Sequence, residues 1–208
     1  MKILVFDTET TGLPKDRKAP YTDVDNFPRI VQIAWNISDS NGKELESYSF
    51  IIKPDKFLIP DEASRIHGIT NEIAHREGIN ILDALNSFRR SVNSSDLLVA
   101  HNLDFDEKVI GSEFVRANME TPFLNKKTLC TMLETINFCK MPSNRSHHGY
   151  KYPTLMELYK ILFIKGFENA HNALIDIRAC ARCFFELKKR GIIKIKEPKN
   201  VQLNFFDI

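Results

Sequence analysis

No stretch of this 208-residue chain stays apolar for the roughly 18–20 residues that a membrane helix needs. The apolar start, Ile3-Leu4-Val5-Phe6, is also too short for a secretory signal and has no small-residue cleavage site after it. Both absences lead us to expect a cytoplasmic protein without membrane contact. Only 8 glycines are present, and none fall in the GxGxxG or GxxxxGK spacing that cradles nucleotide phosphates. The formal net charge is only +2, which gives no broad electrostatic case for nucleic-acid binding and does not exclude it. Gripping a few nucleotides at a strand end would not need a strongly basic surface. Cysteine is scarce, at 4 residues. Cys180 and Cys183 form a CxxC, but within the apolar helical stretch Ala179–Phe185 they read as small buried side chains rather than as a zinc or redox pair.

What remains is an ordinary globular composition, long enough for one domain with a full core. Lys2–Phe6 reads as a buried strand ending at an acid. The Pro-, Asp- and Lys-rich residues 14–29 read as a loop. Ile30–Ile37 and Tyr48–Ile52 read as two more strands, with Asn41-Gly42 as the turn between them. Trp35 is assigned to the core. A helix is expected after Pro60, ending at Gly68. Leu82, Leu85, Phe88 and Val92 recur at helical spacing, and Leu97–Ala100 reads as a fourth strand. Further helices are expected around Phe105–Phe114, Leu155–Leu162 and Leu174–Phe184, with a polar loop at 142–153. Strands followed by interleaved helices and strands indicate one α/β domain, residues 1–196, with 197–208 as linker and tail.

Chemistry concentrates at three places. Asp7 and Glu9 are two apart, so on a strand they share a face. At ~4 Å and an effective dielectric near 20 they would repel by about 4 kcal/mol, which calls for a compensating cation. Hard oxygen ligands suit Mg²⁺ or Mn²⁺. A solvated strand end explains the pair equally well. Asp106 lies where a helix opens after a buried strand, and Asp104 beside it suits a helix cap. His171 and Asp176 are five apart and would diverge by about 140° on one helix. The histidine therefore belongs on the loop before the helix and the aspartate one turn inside it.

Taken as a set, these segments resemble the three motifs of the DnaQ-like, or DEDDh, 3′–5′ exonuclease family. Asp7, Glu9, Thr10, Thr11, Gly12 and Leu13 match DxETTGL. His101, Asn102, Phe105 and Asp106 match HNxxFD. His171, Ala173 and Asp176 match HxAxxD. Ile30–Ile33 and Ile66–Thr70 are similar to it as well, while the segment 142–153 with Arg145, His147 and His148 is longer than the family minimum.

The resemblance implies a ribonuclease-H-like, mixed five-stranded sheet flanked by helices. It implies two divalent ions, Mg²⁺ or Mn²⁺, held by Asp7, Glu9, Asp106 and Asp176, with His171 as general base, since an imidazole accepts protons near neutrality. It also implies release of nucleoside 5′-monophosphates from a nucleic acid 3′ end, DNA being favoured over RNA, in proofreading or repair. RNA trimming and an inactive adaptor are the alternatives. Thr10, Gly12, Leu13, His67, Asn102 and Phe105 are the candidate substrate contacts. Core packing for Phe105 and a helix-end cap for His67 are the plain readings. In the tail, Gln202, Leu203, Phe205 and Phe206 resemble the QLxLF-type peptide that binds a bacterial sliding clamp, which makes a clamp or polymerase a candidate partner.

Overall fold

Apolar residues alternate along Ile3–Thr10 so that successive side chains feed two different cores, and this strand, β1, is the centre of the molecule. The structure is a computed structural model that describes residues 1–143, 149–168 and 170–195. β2 (Ile30–Ser38) and β3 (Glu44–Ile51) follow as an antiparallel hairpin, and β4 (Leu97–Ala100) and β5 (Lys127–Cys130) add in parallel on the other side. The order is β3-β2-β1-β4-β5, the mixed five-stranded sheet that was expected. The hairpin turn is closed by Asp39, whose carboxylate accepts the Asn41 and Lys43 N–H groups, with Gly42 at φ 89°.

On one face of the sheet Leu4, Phe6, Ile33 and Trp35 pack against α3 (Ile81–Asn93) and α4 (Leu103–Arg116). Trp35 is fully buried there, in edge contact with Phe88 at 5.3 Å between ring centroids. On the other face Ile3, Val5, Ala34 and Val99 pack against α7 (Leu155–Phe163) and α8 (Ala173–Lys189). Cys180 and Cys183 are buried free thiols in that second core, as the sequence suggested. Among the described residues no helix is long and apolar enough to cross a membrane.

Several elements differ from the sequence reading. Leu82 is exposed, because α3 turns only Leu85, Phe88 and Val92 of that series inward. A 3-10 turn, Val24–Asn26, interrupts the 14–29 loop. α1 (Asp61–His67) ends at Gly68 with φ 76°, as expected, but a second short helix, α2 (Asn71–Glu77), follows it, capped by the Thr70 side chain. Short helices α5 (Thr131–Glu134) and α6 (Ile136–Cys139) follow β5 directly. The described ends of the 142–153 segment close on themselves, with Lys151 N–H bonded to the Met141 carbonyl at 2.9 Å. Arg145, His147, His148 and the whole tail, including Gln202, Leu203, Phe205 and Phe206, lie outside the described residues.

Candidate active site

β1 and β4 pair only from Ile3↔Leu97 to Val5↔Val99. Beyond that point β1 runs on to Thr10 against β2 alone, so its β4-side backbone needs other partners. Asp106, from the first turn of α4, fills the gap. Its Oδ1 accepts the Thr8 N–H at 3.0 Å and the Thr8 hydroxyl at 2.7 Å. Asp106 is only 2% exposed. The helix opens at Asn102, which adopts φ 71° and makes no side-chain cap bond. Asp104 is not the cap the sequence suggested: it is exposed and pairs with Lys108 at 3.0 Å.

Asp7 and Glu9 project from the opposite face of β1, toward α8. That helix begins at Ala173, so His171 stands outside it and Asp176 inside its first turn. His171 has φ 68°, and its N–H donates to Asp176 Oδ2 at 2.9 Å. The Asn172 side chain takes the Leu174 N–H at 3.1 Å. An aspartate in the first turn also sits favourably at the positive end of the helix dipole. Glu9, His171 and Asp176 each bring one ligand atom within 4.8 Å of the others.

The carboxylates hold protons unusually tightly. Burial raises Asp7 well above the ordinary carboxylate range, and Asp106, Asp176 and Glu9 raise it further. Burial pushes Glu9 up to about 8, reinforced by Asp176 and Asp106. Asp106 is pushed up to about 7 by burial, against the lowering effect of the Thr8 bonds and its own N–H, with Asp176 adding to the rise. Asp176 is raised by burial too, which the His171 N–H partly offsets. Burial thus raises all four acids, and their mutual repulsion adds to the rise at Asp7, Glu9 and Asp106. A proton or a bound cation relieves the repulsion, and an all-oxygen set with one imidazole beside it is the donor chemistry of a hard divalent cation. The residues fit such an ion.

Beside Glu9 a cleft of about 510 Å³ opens between Thr10–Leu13, the α1 residues Ile66 and His67, and Phe105. Thr10 shapes its floor by donating its hydroxyl to the Gly12 carbonyl at 2.6 Å, and Thr11 is tied to Arg29 by reciprocal bonds of 2.9 Å. Leu13 is 69% exposed on the rim. Phe105 packs on the core, the plain reading, and also lines the cleft. His67 is buried at the end of α1. Its Nδ1 accepts the Ile69 N–H at 3.1 Å, the helix-end role anticipated for it. Its Nε2 is buried and makes no bond of ordinary geometry; burial lowers its pKa, against the opposing effect of the Thr10 backbone acceptor. Asn102 lies away from this cleft, in a smaller pocket of about 150 Å³ that shares Leu13 and Phe105 as a wall.

Two contributors have roles that the sequence did not assign. Thr8 reads as the spacer of DxE, yet it anchors Asp106. His101 spans Thr131 Oγ1 and the Pro153 carbonyl at 3.0 Å each, and burial pushes it down to about 4, so it is a neutral strut behind the site. The HNxxFD motif marked His101 without its strut role, and nothing marked Thr8, because their partners are distant in sequence.

Comparison with known proteins follows this geometry. The exonuclease family model RNase_T matches residues 4–184. DNA polymerase III subunit epsilon of Buchnera aphidicola subsp. Schizaphis graminum (strain Sg) is 30% identical over 205 residues, covering 97% of this chain and 80% of that protein. A DNA polymerase III PolC-type protein of Mycoplasmopsis pulmonis (strain UAB CTIP) is 25% identical over 207 residues, covering 98% of this chain but 13% of its own length. Among solved structures, the zinc-bound E. coli ExoI–ssDNA complex superposes with a TM-score of 0.71 at 21% identity, over 91% of this chain and 41% of that one. The sheet and its flanking helices are therefore the ribonuclease-H-like arrangement that the motifs implied.

Proposed function

Because the chain belongs to the exonuclease family whose model spans residues 4–184, we propose that it is a metal-dependent 3′–5′ exonuclease releasing nucleoside 5′-monophosphates from DNA ends. The observation that carries the reading is the convergence of Glu9, His171 and Asp176 within 4.8 Å, beside Asp7 and Asp106 and at the foot of an open cleft. Residues 1–196 are the exonuclease domain.

Asp7, Glu9, Asp106 and Asp176 would hold two divalent ions, Mg²⁺ or Mn²⁺. When bound, the ions supply Lewis-acid stabilisation of the charge that builds on the phosphate. The remaining work falls to the protein. His171, exposed beside Glu9 and Asp176, accepts the proton of the attacking water as general base. The His171 backbone N–H holds Asp176 in place. Thr8 holds Asp106, so the carboxylate keeps its orientation when it ionises. Thr10 and Gly12 bring backbone close to the terminal nucleotide, and Leu13 and Phe105 pack against its base, with Asn102 on their far side. His67 lines the same cleft and is the further contact proposed to that nucleotide.

DNA is favoured over RNA by the relatives named DNA polymerase III and by the exonuclease I structure with single-stranded DNA. The tail, 197–208, is proposed as a linker carrying the clamp-binding peptide Gln202, Leu203, Phe205 and Phe206, which would place the activity in proofreading or repair in the cytoplasm.

The test is digestion of 3′-labelled single-stranded DNA, duplex DNA and RNA with Mg²⁺ or Mn²⁺, beside Asp106→Ala. Stepwise release of mononucleotides from DNA by the intact protein alone is expected. No metal-dependent release, or equal release by Asp106→Ala, sinks the proposal. Preferential digestion of RNA would replace the substrate and keep the chemistry.

A further inference from the structure

The N-terminus of α8 is held from across the sheet. Its first N–H, that of Ala173, is one of the donors that a helix cannot satisfy internally. Gln32 of β2 accepts it through Oε1 at 3.1 Å, while its Nε2 donates to Ser49 Oγ of β3, also at 3.1 Å. Gln32 is 5% exposed. In the register of β1 and β2 it lies directly opposite Glu9. Opposed residues in an antiparallel pair share a face, so Gln32 and Glu9 both look toward α8.

From this geometry we infer that Gln32 is a positioning residue for the reaction: it fixes the start of α8, and with it His171 and Asp176, against Glu9. The inference rests on the function proposed above. The chain of contacts is short. Glu9 and Gln32 are locked together by the sheet. Gln32 holds Ala173, Asn172 holds Leu174, and Asp176 holds the His171 N–H. One residue of slippage at Ala173 would turn Asp176 by about 100° away from Glu9. An amide suits the place for two reasons. It accepts from the helix and donates to Ser49 at once, and it adds no fifth negative charge beside four raised carboxylates.

Gln32→Met keeps length and bulk and removes the polar contacts. Gln32→Glu keeps the acceptor. Three measurements are made on the full chain: amide hydrogen exchange without metal, Mn²⁺ affinity by calorimetry, and kcat and KM on single-stranded DNA. Gln32→Met should speed exchange across 171–176 while the rest of the chain is unchanged. It should weaken Mn²⁺ binding and lower kcat, each by about 10–100-fold as for other residues that orient metal ligands, and leave KM near wild type. Gln32→Glu should restore slow exchange at 171–176, whereas its added charge alters Mn²⁺ affinity on its own account. A folded Gln32→Met with wild-type exchange, Mn²⁺ affinity and kcat overturns the inference. If that variant does not fold, Gln32→Glu decides: slow exchange at 171–176 supports the role, and fast exchange there in a folded protein overturns it. If the wild type digests no DNA, the proposed function fails, while exchange and Mn²⁺ binding still decide the role of Gln32.

Discussion

Thr8 and Asp106 are joined twice: the backbone N–H of Thr8 at 3.0 Å and its hydroxyl at 2.7 Å both donate to one carboxylate oxygen. Thr8 points to the α4 face of β1, whereas its neighbours Asp7 and Glu9 point to the α8 face. The strand therefore carries acids on one side and the anchor of another acid on the other.

Thr8→Val keeps the shape and removes the hydroxyl. The lost bond to a carboxylate should cost about 1–2 kcal/mol of stability. Activity should fall by roughly 10–100-fold, as when other groups that orient metal ligands are removed. Chemical denaturation and single-turnover digestion report the two effects. Wild-type turnover in a folded Thr8→Val would show that Asp106 does not depend on its hydroxyl partner.

The acid cluster makes metal-free stability depend on pH. Folded Asp106 and Glu9 keep protons up to about 7 and about 8, where the unfolded chain has already released them. The folded state binds more protons over that interval, so stability declines as pH rises from the ordinary carboxylate range near 4 toward 8. The loss should be on the order of several kcal/mol. In EDTA, Tm should be lower at pH 8 than at pH 5, and Mn²⁺ should raise it more at pH 8. An equal or higher Tm at pH 8 in EDTA contradicts this account.

His171→Ala removes an exposed ring, so the fold should be unaffected. As the general base it should be worth about 10²–10⁴ in kcat. Its proximity to Glu9 and Asp176 also permits a ligand role. Calorimetry separates the two: unchanged Mn²⁺ affinity with lost turnover fits the base, and a matching loss of affinity fits the ligand.

Leu13 is on the rim and Phe105 forms part of the cleft wall. Truncating either to alanine should weaken binding of a single-stranded oligonucleotide by about 1–3 kcal/mol if it packs on a base. The change should appear in KM. A fall in kcat alone would assign these side chains to something other than substrate packing.

Deleting residues 201–208 should abolish binding to a bacterial sliding clamp and spare digestion of free oligonucleotides. A pull-down with purified clamp, repeated with Leu203→Ala and Phe206→Ala, measures the first effect. Clamp binding that survives the deletion removes the tail from the proposal.

The sequence by itself determined the local arrangement. Period-two alternation put Asp7 and Glu9 on one face, and the helical period put His171 before α8 and Asp176 within it, because both are properties of backbone geometry over a few residues. The apolar series of β1, β2, β4, α3, α4, α7 and α8 were readable for the same reason. β5 was not: Lys127–Cys130 is a four-residue strand with little apolar character, and it exists because β4 offers it a parallel partner. α2 was missed as well, being a single short amphipathic segment after a glycine.

Only the tertiary structure decided how the acids meet. Asp106 reaches them because the β1–β4 pairing stops at Val5↔Val99 and leaves the Thr8 N–H free to hold it. Asp176 reaches them because Gln32, opposite Glu9, seats the start of its helix. Those bonds join residues 98 and 141 positions apart. Hydrogen bonds over such separations leave no periodic trace in a sequence, since any residue of the right length and polarity at the right height on a strand satisfies them.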